Sequence, residues 1–173
     1  DYSVTTIDLL RNGRPEGGDI FRGHSDVAIS ADGLQQMQQA VDDEQGWQRI
    51  LTSPMARCQV FAEQVAAEKA IRRDVVDELR EISFGDWDGQ AFKVVAKADA
   101  ERFEAYWRDP VVTTPPNGEP MLDFCQRISE AFWQHVELCK GQHALMVVHG
   151  GVIRAVLADV LNAGSAALTR FEV

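Results

Sequence analysis

The chain has 173 residues, 45% of them apolar, and a formal net charge of −10, which suits one sizeable core and is short for two. That acidic balance argues against nucleic-acid backbones and anionic membrane surfaces as main partners, because long-range repulsion opposes both encounters. The longest apolar runs, residues 144–148 and 152–156, stop well before the ~18 residues of a membrane span, and no basic segment followed by an apolar one opens the chain. The expectation is a single domain over residues 1–173, located in the cytoplasm. Cys58, Cys125 and Cys139 are odd in number, lack metal-ligand spacing and sit in segments with a helical pattern, which suits reduced thiols. Nothing in the sequence sets an oligomeric state.

Residues 4–10 are apolar and β-rich and stop at Arg11-Asn12-Gly13, the pattern of a buried strand followed by a turn. Residues 31–41 read as a helix. Residues 50–53 form a second short strand, after which Ser53 caps a helix that starts at Pro54, runs to about residue 68 and holds Arg57 in its first turn. Helical stretches follow over residues 90–107 and 121–139, separated by a Pro-rich loop at 113–120. Residues 144–148 make a third strand ending at His149, then Gly150-Gly151 and an apolar helix over 152–161. A further strand is expected to open at 171–173 and to be truncated there.

Strands alternating with helices imply a three-layer α/β/α sandwich with a mostly parallel sheet, whose ligands collect at the carboxyl ends of the strands. Three of those ends carry Arg11, Arg57 and His149. If the strands are neighbours, the cations converge on one crevice beside the positive end of the helix after Pro54. That is a pocket for an oxyanion, most simply phosphate. Taken singly, an arginine after a strand is usually a surface group and a histidine a satisfied structural one; three in equivalent places favour the pocket.

Leu10-Arg11-Asn12-Gly13 resembles the Leu-Arg-His-Gly signature of the histidine phosphatase superfamily, altered at one residue. Thr52-Ser53-Pro54-Met55-Ala56-Arg57-Cys58 resembles that superfamily's second arginine motif, and Val148-His149-Gly150-Gly151-Val152-Ile153-Arg154 its second histidine motif. Leu79-Arg80-Glu81-Ile82, with Gly85, Trp87 and Gly89, resembles the segment that carries the acid. Four ordered motifs over residues 7–161 are far more specific together than any one alone. The resemblance implies the phosphoglycerate mutase-like fold and a phosphomonoester hydrolase that needs neither metal nor cofactor. A histidine at position 12 would attack phosphorus and form a phosphohistidine. Arg11 and Arg57 would hold the phosphoryl oxygens, and a protonated His149 would add a donor to them. Gly13 and Gly150 would allow close backbone approach.

By the same resemblance Glu81 would protonate the leaving alkoxide and then activate water, which asks for a carboxyl raised by partial burial. Glu78, Asp86 and Asp88 are its neighbours in sequence, and Glu81 is preferred by its offset from Gly85, Trp87 and Gly89. Arg22, in Arg22-Gly23-His24-Ser25, resembles part of a substrate-facing loop. Phe84 and Trp87 either line the mouth of the pocket or are core aromatics. The short chain, the Glu-x-x-x-Gly-Asp-Trp-x-Gly form and Pro115-Pro116-Asn117-Gly118-Glu119 ahead of a helix look most like the α-ribazole phosphatases, which implies α-ribazole 5′-phosphate, a small phosphorylated metabolite of cobalamin biosynthesis, as substrate. A broad sugar-phosphate phosphatase and a mutase-like enzyme are the alternatives within the superfamily.

Asn12 breaks the pattern at its chemical centre. An amide cannot accept a phosphoryl group, so the chain is expected to bind without turning over, with a loss of order a millionfold, about 8 kcal/mol of barrier. Asn12 is either an engineered change that traps a ligand or a natural substitution marking a phosphate-binding regulatory protein.

Overall fold

The computed structural model describes residues 3–44 and 46–173. Four strands form one wholly parallel sheet in the order β1-β4-β2-β3. They are β1 (Thr6–Arg11), β2 (Arg49–Thr52), β3 (Arg72–Val75) and β4 (His143–Val148). The two central strands are nearly continuous apolar runs because both of their faces are covered. From Ala144 to Val148 no residue is more than 1% exposed, and Ile50 and Leu51 are at 0%. Burying each such aliphatic side chain stabilises the fold by about 1.5–3 kcal/mol relative to leaving it in water.

Strand alternation decides which layer each residue serves. Leu51, Ala144, Met146 and Val148 face a core completed by α5 (Met121–Leu138) and α6 (Gly150–Val160). Ile50, Leu145 and Val147 face the opposite core, completed by α1 (Ala31–Val41) and α2 (Ala56–Lys69). The result is the expected three-layer sandwich. No helix among the described residues is long and apolar enough to cross a membrane.

Several local expectations need correction. The helix expected from Pro54 begins at Ala56, and its N-cap Met55 makes no side-chain cap bond. Ser53 does not cap it: its hydroxyl turns inward to His149, and the free N–H of Ala56 is taken instead by Asp26 Oδ1 at 2.7 Å. The single helix expected over 90–107 is two, α3 (Phe92–Ala98) and α4 (Ala100–Arg108), broken at Asp99. Strand β3, Arg72-Arg73-Asp74-Val75, carries charge where a strand pattern shows apolar residues. It is an edge strand, where charge is tolerated and discourages further pairing, and Asp74 is held by Arg49 at 3.0 Å. Residues 171–173 are not a strand; they are irregular, with Phe171 and Val173 packed against the core.

A third cluster lies off the sheet. Phe21, Trp87, Val95 and Tyr106 are buried together, flanked by Phe84, Phe92 and Phe103. The loop after β1, the segment between β3 and α3, and the helices α3 and α4 supply it, and it forms one wall of the cavity at the carboxyl ends of the strands.

Candidate active site

A cavity of about 1160 Å³ opens at the carboxyl ends of β1, β4 and β2 and takes in Arg11, Asn12, Arg57, Glu81 and His149. The strand order explains the convergence, since β4 lies between β1 and β2 and brings His149 between Asn12 and Arg57. Arg14, Arg22 and Arg154 also line it, so five guanidinium groups face two carboxylates, Glu81 and Asp19. A local cluster of this kind outweighs the overall negative charge for a small anion, because the field at short range is set by the nearest groups.

Arg57 is 2% exposed. Its guanidinium donates to the carbonyls of Arg22 at 3.2 Å, Gly23 at 3.0 Å and Ser25 at 3.0 Å. A guanidinium has five N–H donors, so these bonds leave two of them for an anion and fix the plane in which they point. The N–H groups of the same loop are held from the other side by Asp88, whose carboxylate accepts from Gly23, His24, Ser25 and Phe84 at 2.9–3.1 Å. Burial raises the Asp88 carboxyl, but those hydrogen bonds outweigh it and hold the group below its ordinary range. Asp88 therefore clamps the loop and is committed as an acceptor. Asp86 is exposed and takes the amide of Asn117 at 3.1 Å.

Glu81 is the carboxylate of this segment that reaches the cavity. Its two oxygens accept from the backbone N–H groups of Ile82 and Gly151, both at 3.0 Å. Burial pushes its carboxyl above the usual range, and the two N–H bonds with the charges of Arg57 and Arg154 pull the other way without cancelling the rise. A carboxyl raised in this way gives a proton more readily than an ordinary one and can take it back, which is what acid–base work at a phosphoester oxygen requires.

His149 is 1% exposed, and its proton affinity is lowered well below the ordinary histidine value by burial first and then by Arg57, Arg127 and His24. These surroundings disfavour the protonated His149 expected from the sequence, since the loss of water and the nearby positive charge both work against a further charge. Asn12 Oδ1 lies 3.1 Å from His149 Nδ1, and Asn12 Nδ2 donates to the Gly13 carbonyl at 2.9 Å.

Other positions are placed differently from expectation. Trp87 is 3% exposed and packs in the aromatic cluster, so it is a core residue and not part of the mouth. Phe84 and Arg22 do line the cavity. Gly13 lines it too, but the backbone that needs its missing side chain is that of α1: a Cβ there would lie 2.0 Å from the Gly33 carbonyl oxygen. Gly150 has the guanidinium of Arg11 as its close neighbour, and that guanidinium also donates to the Val173 carbonyl.

Sequence reasoning gave no role to Gly151, Arg154, Tyr106 or Trp107. A Cβ on Gly151 would meet Glu81 Oε1 at 2.3 Å, so this glycine makes room for the acid. Arg154 follows Gly150 by one helical turn, and that spacing was the available signal. Tyr106 and Trp107 had none, because an aromatic pair on a helix reads as core. Among the described residues, the side chains grouped closely enough to share a metal ion are Asp8 of β1, His143 at the start of β4 and Glu44 of the loop between α1 and β2.

Comparisons with known proteins give the family. The adenosylcobalamin/α-ribazole phosphatase of Escherichia coli (strain K12) is 27% identical over 169 residues, covering 95% of this chain and 83% of that protein. A bifunctional protein of Mycobacterium tuberculosis is 30% identical over 176 residues, covering 98% of this chain and 48% of that one. The crystal structure of the α-ribazole phosphatase from Shigella flexneri superposes with a TM-score of 0.86 at 27% identity, over 96% of this chain and 85% of that chain. The sequence pattern of the histidine phosphatase superfamily (branch 1) matches residues 7–173, and the chain belongs to that family.

Proposed function

We propose that this protein is built to cleave a phosphomonoester whose leaving group carries a planar ring, with α-ribazole 5′-phosphate as the substrate, and that Asn12 stops the reaction before the covalent step. The observation that carries this reading is the two-ended cavity. Arg11 and Arg154 meet at Gly150, Arg57 and Arg154 act on Glu81, and Phe84, Phe92, Tyr106 and Trp107 belong to the packed aromatic wall; all of them line the cavity. The arginine end suits a phosphoryl dianion through forked, always-charged donors. The aromatic end suits the flat ring that the leaving group carries, which can stack on it. The names of the relatives in Escherichia coli and Shigella flexneri favour the same substrate.

In this reading a histidine at position 12 attacks phosphorus in line, Arg11 and Arg57 carry the charge of the equatorial oxygens, and His149 donates a hydrogen bond as a neutral imidazole. Glu81 protonates the departing oxygen and then takes a proton from the water that releases phosphate. No metal is assigned to any of these steps. Asn12 leaves the binding groups in place and removes the nucleophile.

The test is phosphate release across a phosphomonoester panel with Asn12→His. The variant is expected to gain turnover by roughly a millionfold over the Asn12 chain, to work in the presence of chelator, and to hold acid-labile phosphate on residue 12 after rapid quench. A folded, phosphate-binding variant that hydrolyses nothing in the panel would sink the reading. It would leave in its place a regulatory protein that senses a phosphorylated ligand, for which the Asn12 to His149 contact is the favouring observation.

A further inference from the structure

Ser53, at the end of β2, is wholly buried at 0% exposure, and His149 beside it is 1% exposed. The Ser53 Oγ to His149 Nε2 distance is 2.7 Å, and the backbone N–H of Met55 donates to the same Oγ at 3.3 Å. Across the ring, His149 Nδ1 faces Asn12 Oδ1 at 3.1 Å. An amide oxygen only accepts, so the Nδ1 position carries the proton. In a neutral ring Nε2 is then a bare acceptor, and the Ser53 hydroxyl, whose oxygen already receives the Met55 N–H, donates to it. Every donor and acceptor in this chain has one consistent direction. The ring edge is closed by Cys58, whose Sγ lies 3.8 Å from each ring nitrogen and 3.4 Å from the Val148 carbonyl oxygen.

We propose that Ser53 is a positioning residue which locks His149 as the neutral imidazole with its proton on Nδ1, so that the site offers a phosphoryl oxygen a fixed donor in place of an exchangeable proton. Where Asn12 Oδ1 now sits, an oxygen acceptor is already met by that N–H. The groups around the ring agree with the lock. Arg57 and Cys58 face it from α2, Arg127 from α5 and His24 from the loop after β1, while the Glu81 carboxyl of the same cavity is taken up by the N–H groups of Ile82 and Gly151. Charge for the transferring group then comes from the arginines, while His149 contributes direction. A fixed tautomer matters because a donor presented from the wrong nitrogen is worth nothing to the reacting oxygen.

The first arm of the test needs no activity: nitrogen-15 imidazole spectra of the Asn12 chain, with His149 identified by the signals lost in His149→Gln. The expected result is a protonated Nδ1 and a bare Nε2, unchanged from pH 8 to pH 5.5. Ser53→Ala is expected to release the ring to a mixture of tautomers or to a protonated form at the acid end, and Ser53→Cys, nearly the same size with a weaker donor, to lie between. Imidazolium or an Nε2 proton in the unsubstituted chain, or a tautomer indifferent to both substitutions, overturns the proposal. If Ser53→Ala fails to fold, Ser53→Cys decides in the same way. The second arm rests on the phosphatase reading. In the Asn12→His background Ser53→Ala should lower kcat by roughly 10- to 100-fold, with KM changed much less. Release of the ring without loss of kcat would overturn the positioning role. An inactive Asn12→His would count against the phosphatase reading alone, because the spectra still judge Ser53.

Discussion

The two ends of the cavity are built by different means. The arginine end stands on strand termini: Arg11 closes β1, Arg57 opens α2 just past β2, and His149 follows β4. Its polar groups are held through paired backbone contacts, so its geometry follows from the sheet. The aromatic end has no strand under it. Phe84, Phe92, Tyr106 and Trp107 come from a loop and two short helices and are held by ring packing, with Phe21 at their centre, 4.5 Å from Phe92 and 5.1 Å from Phe84 between ring centroids. A sheet terminus can fix a hydrogen-bond direction to fractions of an ångström, whereas a ring cluster fixes only a surface. The first suits a group whose chemistry does not vary, and the second suits a leaving group that does.

This contrast can be tested by breaking each end separately. The largest effect is expected from Glu81→Gln in the Asn12→His background, where turnover should fall roughly a thousandfold while phosphate affinity and thermal midpoint stay close to the parent. Asp86→Asn should be silent in the same assay, and a larger loss there would mean that the acid has been misassigned. Asp88→Asn breaks the clamp behind the arginine end. Its amide nitrogen cannot accept from the N–H groups that a carboxylate oxygen now satisfies, so unfolding should become easier by about 2–3 kcal/mol. Calorimetry would reveal this in the Asn12 chain itself, and an unchanged midpoint would refute the clamp.

Trp107→Ala addresses the other end. Trp107 is 53% exposed and its ring meets Phe92, Phe103 and Tyr106 at centroid distances of 5.5–6.0 Å. Stacking of a flat base on such a ring is worth about 1–3 kcal/mol. The substitution should therefore raise KM for α-ribazole 5′-phosphate about tenfold and leave a small alkyl phosphate unaffected. Equal losses for both would mean that the wall supports the fold and does not read the leaving group.

The smallest effect is in acid stability. The folded chain resists protonating His149, so the unfolded state alone takes up that proton near its ordinary value of 6.5, and stability is full above that pH and falls as pH drops below it. Asp88 adds in the same direction at lower pH, its contribution being present above 3.8 and lost as pH falls through its depressed value. Glu81 has the opposite sign: raised above 4.5, its contribution favours the fold below that pH and is lost as pH rises through its folded value. Below pH 6.5 the His149 slope and the opposite Glu81 slope overlap, and His149→Gln should remove the part that falls with acid, which thermal melts would read against the parent chain.

The arginine end was legible in the sequence because it depends on punctuation: a strand pattern, then an arginine or histidine, then glycine or a helix start. The three-layer architecture followed from the same alternation. What was not legible depends on neighbours distant in sequence. Strand β3 is polar because it lies at an edge, Ser53 turns away from the helix because His149 is there to receive it, and Trp87 is buried because Phe21 and Tyr106 surround it. The surroundings that disfavour a charged His149 were hidden for a related reason. A sequence shows which cations are present, but not that water has been removed from around them.

The position of β4 between β1 and β2 also bears on how the chain is made. β1 pairs with β4 alone, and β2 pairs with β4 and β3. A ribosome must therefore deliver residue 148 before the first strand has any neighbour at all. Until then β2, β3 and α2 can gather locally, while residues 6–11 wait unpaired across a separation of more than 130 residues. Long-range closure of this kind slows folding and leaves apolar strand exposed in the meantime. Arg11, Arg57 and His149 thus come together only when β1 has paired with β4 beside β2, and an anion that binds among them rewards only the chain that has made that closure.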